Sequence, residues 1–276
     1  MQFRTLLISF IFLHTASSQF PVPDCDLNAD DIKDCKANIS KPWRITSDKT
    51  MNRVELLCNV PHTEPACIVV APGTKVKITG SKLTSLEDGA GCIHLDNGTL
   101  ITSMFAIEKC SQFTIKGVNS SVVWVMFSSI MHSDSPDLGV INVEDSFLKI
   151  ESSKLINNKG PSLYIKKSMA DVASSTVNGN NNYNGGTFMI KDSKVDFSSV
   201  EMIDNKSKYN ACLCVENSAV KMDGMSMSKW SSVSFINSSS KKLNIKNDKY
   251  QCYVYDSLNY YFKYYLNYLN NANDDK

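Results

Sequence analysis

INVEDSFLKIESSKLINN (residues 141–158), LYIKKSMADVASSTVNGN (163–180), FMIKDSKVDFSSVEMIDN (188–205) and LCVENSAVKMDGMSM (213–227) are successive copies of one pattern. In each copy a small residue ends a short apolar strand: Ser146, Ser168, Ser193 and Ser218. Two apolar residues at alternate positions precede this marker, as in Ile141 and Val143. Two more follow it, as in Leu148 and Ile150 or Val195 and Phe197. A third pair comes after a small kink: Ser153 with Leu155, Ser175 with Val177, Val200 with Met202, Met225 with Met227. Alternation of period two is the mark of a strand with one buried face. Each unit therefore holds three short strands.

Traced backwards, the marker recurs at Gly73, Gly98 and Ser121, so the spacings along the chain are 25, 23, 25, 22, 25 and 25 residues. Three strands of this length cannot each find a partner inside their own unit. Coiling resolves the difficulty. Each strand then pairs in parallel with its equivalent one unit later, about 4.8 Å away, and inward side chains stack on like side chains. The repeat predicts an all-β chain folded as a right-handed, single-stranded parallel β-helix over residues 67–247, with about seven to eight rungs. An antiparallel sandwich fits poorly, because hairpin signals such as Asn97-Gly98 and Asp223-Gly224 are few and the pattern repeats instead of reversing. Two places are out of step. After Gly73 the pair Val76 and Ile78 falls one residue late, and before Ser121 the strand Phe113, Ile115, Val118 is irregular. A bulge in each would absorb them.

Ser153-Lys154-Leu155-Ile156-Asn157-Asn158-Lys159-Gly160 and Val200-Glu201-Met202-Ile203-Asp204-Asn205-Lys206 resemble the strand-then-asparagine turn of pectate-lyase-like β-helix repeats, as found in polymorphic outer-membrane-type proteins. The likeness runs from Cys67 to Met227. It implies the fold and a ladder of turn asparagines, here Asn158, Asn180 and Asn205, each twelve residues after its marker. Asparagine suits such turns because it tolerates left-handed backbone and its amide can bond along a stack. For enzymes of this fold the likeness implies cleavage of acidic polysaccharides, but the family's catalytic runs are missing. Asn-Thr-Asp and Gly-His-Gly do not occur, and Asp-Asp stands only at Asp30-Asp31 and Asp274-Asp275.

The ends break the repeat. Arg4, the apolar run from Leu6 to Leu13 and the small residues Ala16-Ser17-Ser18 read as a signal peptide over residues 1–18, cleaved before Gln19. Residues 19–66 hold Cys25, Cys35 and Cys58 and a candidate short helix, Asn28 to Asp34; they read as a disulfide-rich N-terminal cap. Over residues 248–276, Leu258, Phe262, Tyr265, Leu266 and Leu269 recur at helical spacing ahead of a polar tail, which predicts a capping helix. Eight of the eleven tyrosines lie between Tyr250 and Tyr268, so an aromatic platform for sugars or a protein is the functional reading of the same segment.

A secreted chain sets the chemistry expected of the rest. Without Arg4 the mature chain carries 28 basic residues (29 less one) against 28 acidic, which gives no pull toward nucleic acid. The mature chain has no apolar run long enough to span a membrane. Five sequons, at Asn38, Asn97, Asn119, Asn205 and Asn237, predict glycosylation. Nine cysteines predict disulfides and, being odd, leave at least one thiol either free or bonded to a second chain. Cys67-Ile68-Val69-Val70 and Cys92-Ile93-His94-Leu95 match one rung apart, which places Cys67 and Cys92 within disulfide reach. The partners of Cys25, Cys35 and Cys58 stay open.

One carboxylate pair invites a catalytic reading. Asp171 and Asp196 fall three residues past their markers in adjacent rungs, about 5 Å apart, a separation that suits a retaining glycosidase. Yet Lys149 and Lys221 hold the same position in the flanking rungs. The columns Asp145-Lys167-Asp192 and Glu144-Lys166-Lys191-Glu216 likewise mix signs, as a solvated charge ladder does. His62, His94 and His132 are scattered and form no metal set, and no cofactor is implied. The expected function is a non-catalytic binding, adhesion or structural surface facing an extracellular glycan or protein. A polysaccharide lyase or hydrolase is the alternative.

Overall fold

The computed structural model describes residues 22–86, 89–182, 185–207, 211–227, 232–236, 238–247 and 254–255. Within them the alternation does what its period demands. In Phe147–Glu151, Leu148 and Ile150 are buried while Phe147, Lys149 and Glu151 face outward. Every strand ladder among the described residues is parallel and joins a strand to its equivalent one turn later, as Phe147 to Met169 and Leu163 to Phe188. Seven three-strand turns follow one another from Trp43–Ile45 to Glu201–Ile203. The chain is a parallel β-solenoid with three faces. The first face is a sheet of ten strands from Trp43–Ile45 to Val254–Tyr255. The second includes Thr99–Ser103, Val122–Met126, Phe147–Glu151, Met169–Ala173 and Lys194–Ser198. The third includes Lys36–Ile39, Glu55–Cys58 and Thr176–Asn178.

Stacking of like on like builds the core. Ile68, Ile93, Ile115, Ile141, Leu163, Phe188 and Leu213 form one column through successive first-face strands. All seven are fully buried, and each contributes about 1.5–3 kcal/mol by leaving water. A single hydrophobic cluster runs from Ile32 to Met227. Near its far end the rings of Phe188 and Phe197 stack at 5.5 Å.

The corners pose the harder problem, because a bend takes backbone N–H groups out of the regular ladder and each must find another acceptor. The solution is the same at all three corners. A residue in the left-handed conformation turns the chain, and in most turns the next residue points a polar side chain inward; at the second corner Val54, Phe105, Val200 and Met225 take that inward place in the remaining turns. At the first corner Asp145, Lys167, Asp192 and Asn217 take φ of 49°, 47°, 51° and 47°. Each precedes a serine of a ladder: Ser121 N–H donates to Ser146 Oγ, Ser146 to Ser168, Ser168 to Ser193 and Ser193 to Ser218, at 2.9–3.1 Å. At the second corner Ser128, Ser153 and Ser175 do the same. At the third the amide ladder holds: Asn158 N–H donates to Asn180 Oδ1 at 2.9 Å, and Asn180 N–H to Asn205 Oδ1 at 3.0 Å.

The two irregular places are corner insertions, and the strands beside them pair in unbroken register. Thr99 pairs with Lys75, so the counterpart of Gly98 is buried Thr74, while Gly73 is exposed at φ 75°. Before Ser121, both Asn119 and Ser120 have positive φ, at 54° and 66°. Each corner simply holds one residue more.

The N-terminal boundary also moves. The expected helix over Asn28 to Asp34 is instead a turn leading into the strand Asp31–Lys33, in which Ile32 is buried between two exposed neighbours and pairs with Met51. Its period is two, not 3.6, and that decides it. Lys36–Ile39 pairs with Glu55–Cys58, so the solenoid starts near Asp31 and the cap shrinks to the residues before it. There the ammonium of buried Lys49 donates to the carbonyls of Asn28 and Ala29 at 2.6 and 2.8 Å. At the other end Val254–Tyr255 still pairs with Val233 and Ser234. The expected signal peptide, Asn237 and the capping helix with its polar tail beyond Tyr255 lie outside the described residues. No helix among the described residues is long and apolar enough to cross a membrane.

Candidate functional site

The second face carries the carboxylate pair. Register places Lys149 beside Asp171, Asp171 beside Asp196 and Asp196 beside Lys221, as one outward column. Both aspartates are half-buried between neighbouring strands on an open sheet face. Lys149 turns sideways to Glu151, with Nζ–Oε2 of 3.2 Å. A flat strand face offers a substrate one surface, whereas a glycosidase needs its two carboxylates on either side of the scissile bond. Asp171 and Asp196 are brought together; the opposed arrangement is not. Among the described residues no cluster of three His, Cys, Asp or Glu side chains could hold a metal ion.

On the first face the column Glu144-Lys166-Lys191-Glu216 forms as its signs demand. Glu144 pairs with Lys166, and Lys191 with Glu216 at 2.9 Å, so the central Lys166–Lys191 step is neutralised from both sides. Hydrogen bonding to its carboxylate holds each ammonium above its ordinary value. Arg44 lies in the strand Trp43–Ile45. Arg53 turns the second corner, where Nε and Nη2 donate to both oxygens of Asp34 and hold that carboxyl below its usual range. Both arginines therefore belong to the first turns of the coil and not to a separate cap.

An apolar patch on the same face escapes the periodic reading. Val122, Trp124 and Met126 point outward from their strand, with Val123 and Val125 buried. Ile101 lies beside Trp124, Phe147 beside Val122 and Met169 beside Phe147. Trp124 is 37% exposed and Met169 54%. At the corner Met104 and Phe127 stand 60% and 59% exposed. In the sequence the signal is the unbroken apolar run Val122 to Phe127, where each of the later turns puts at least one Lys, Asp or Glu at an outward position.

On the first face His94 stands outward between Val69 and Lys116. Phe113 packs edge-on to its ring at 6.2 Å. Its Nε2 is buried without a hydrogen-bond partner. Desolvation, with a smaller push from Lys116 and against the pull of Asp96, lowers its pKa from the ordinary histidine value.

The expected Cys67–Cys92 bridge does not form. Cys25 joins Cys35, Cys58 joins Cys67 and Cys92 joins Cys110, with Cα–Cα distances of 5.0, 6.0 and 5.7 Å. Matching register does bring Cys67 and Cys92 to adjacent strands. However, the bend between the third and first faces brings a cysteine of the same winding of chain equally near, and sulfur bridges across the bend. Of the sequons, Asn38, Asn97 and Asn119 are exposed. Asn205 is closed to a glycan: it is 7% exposed, its Nδ2 donates to Val177 O at 2.7 Å, and its Oδ1 accepts from Asn180.

Compared with known proteins, the chain matches no family model, no curated protein and no solved structure. The likeness to pectate-lyase-like repeats rests on the turns alone.

Proposed function

We propose that this chain is a secreted glycoprotein whose β-helix, of the pectate-lyase-like kind, is a non-catalytic scaffold presenting its faces to an extracellular glycan or protein surface. One observation carries the reading: the second face sets an apolar centre around Trp124 beside an outward charge column, in which Asp171 and Asp196 are flanked by Lys149 and Lys221. Flat faces with mixed apolar and charged columns suit recognition over an area. Three disulfides within the first turns support an oxidising compartment. The exposed sequons Asn38, Asn97 and Asn119 support glycosylation there.

A second reading has one observation in its favour, the side-by-side placement of Asp171 and Asp196. It makes the chain a polysaccharide lyase or hydrolase. The two separate cleanly. The secreted protein is incubated with pectin, alginate and glycosaminoglycan panels, with and without calcium, and also applied to a glycan and protein binding array. Binding without new reducing or unsaturated ends is expected. Product formation abolished by Asp171→Asn and Asp196→Asn would establish the enzyme instead.

A further inference from the structure

Half of the eight large apolar residues exposed among the described residues, namely Met104, Trp124, Phe127 and Met169, lie on the second face or its corner. Half-buried Ile101, Val122, Met126 and Phe147 join them into one patch. Two of these residues are held at a conformational cost. Met104 and Phe127 occupy the left-handed corner position at φ 52° and 49°, which other turns fill with Gly80, Ser152, Ser174, Ser199 and Gly224, and in the first turn with Arg53, whose guanidinium is held by Asp34. Left-handed backbone costs a bulky residue on the order of 1 kcal/mol, and an exposed side chain recovers none of it in an isolated chain. A contiguous apolar patch of this kind marks an interaction surface.

The charges around the patch identify the occupant. In the central column of the face Lys77 lies two turns before Trp124, and Asp171 lies two turns after it. Neither makes an ion pair or side-chain hydrogen bond among the described residues. Opposite charges thus flank the apolar centre at equal distances. We infer that the second face is a self-association surface, on which two copies pack face to face about a two-fold axis lying along the strand Val122–Met126. Such an axis inverts the order of the turns and preserves the column. Trp124 then meets Trp124, and Lys77 of each copy lies opposite Asp171 of the other, so the pair forms twice. Ile101 faces the aliphatic stem of Lys149. The other face-to-face two-fold, along the coil, would set Lys77 against Lys77 and Asp171 against Asp171; like charges select against it.

Size and access agree. Five-residue strands over seven turns make a face of roughly 17 by 30 Å, which reaches the roughly 500 Å² per partner that a specific interface requires. Of the described sequons, Asn38 lies on the third face and Asn97, Asn119 and Asn205 lie at corners, so none sits on the patch. The contact is non-covalent and independent of what else the protein binds.

Sedimentation equilibrium of the full secreted chain tests this, with a non-reducing denaturing gel to count covalent dimers. The expected result is a dimer in solution that runs as a monomer on the gel. Trp124→Lys should raise the dimer Kd by roughly 100-fold with an unchanged circular dichroism spectrum. Phe127→Ser should weaken association while leaving the melting temperature equal or higher, since serine already serves at that corner in other turns. Lys77→Asp and Asp171→Lys should each weaken the dimer about 10-fold, and a mixture of these two variants should form a heterodimer at wild-type strength. A chain that is monomeric at all concentrations overturns the inference. So does a dimer indifferent to Trp124→Lys and Phe127→Ser, or a mixture no stronger than either charge variant alone.

Discussion

Asn180 shows how much one side chain can carry in this fold. Its Oδ1 accepts from Asn158 N and Nδ2 at 2.9 and 3.0 Å, and its Nδ2 donates to Leu155 O at 2.8 Å, all out of water. Alanine there leaves the buried Asn158 N–H without its acceptor, at about 1–3 kcal/mol, and removes the amide's further bonds to Leu155 O and Asn205 Oδ1. Asn180→Ala should therefore lower unfolding free energy by about 2–4 kcal/mol in urea titration, whereas half-buried Asn178→Ala should stay within about 0.5 kcal/mol. Equal losses from both variants would deny the ladder its role. His94 makes a second residue-scale case. Its folded pKa lies below the unfolded value, so the unfolded chain binds the extra proton as pH drops through the ordinary histidine range. Stability should be complete above about pH 6.5 and decline below it. His94→Gln should flatten that part of the melting-temperature profile, and an unaltered slope would remove histidine from the account.

At the scale of elements, the corner is the unit that repeats. A left-handed residue followed by an inward polar one recurs at three corners, with serine at two and asparagine at the third. The division follows reach: a serine hydroxyl accepts a corner N–H while its own proton returns to the carbonyl two residues back, as Ser168 Oγ does to Lys166 O at 2.6 Å. The asparagine amide can in addition bond the next amide along the stack. Where a corner carries cysteine, the bend closes covalently. Cys92–Cys110 spans 18 residues, and constraining a loop of that size stabilises by about 3 kcal/mol on the chain-entropy account. A non-reducing peptide map should recover Cys58–Cys67 and Cys92–Cys110 as separate linked peptides, with Cys92→Ser/Cys110→Ser losing about that much stability. Recovery of a Cys67–Cys92 peptide would instead show that sulfur bridges adjacent strands and not the bend.

Over the whole molecule the solenoid behaves as a one-dimensional stack, in which each turn contacts mainly its neighbours. Its faces are therefore long and flat, and any function they serve is written in columns that run along the coil. That geometry explains both what could be read beforehand and what could not. Period-two alternation and a repeat near 25 residues suffice to specify three strands per unit, parallel pairing, the inward column from Ile68 to Leu213 and the asparagine ladder, because hydrophobic burial acts on every turn alike and averages out local exceptions. The same local periodicity placed Asp171, Asp196 and their lysines in one column. It failed where a decision depended on which neighbour lies nearer across a bend, as for the partner of Cys67, and it showed that the chain is out of step at Gly73 and Ser120 without placing the extra residue in the corner. It also passed over the patch around Trp124, since an apolar outward residue and an apolar inward one look the same until the turns are stacked. The sequence by itself determined the coil, since every repeat bears the same burial pattern; only the tertiary structure decided the contacts across corners and the makeup of each face, because these depend on which side chains from different turns meet in space.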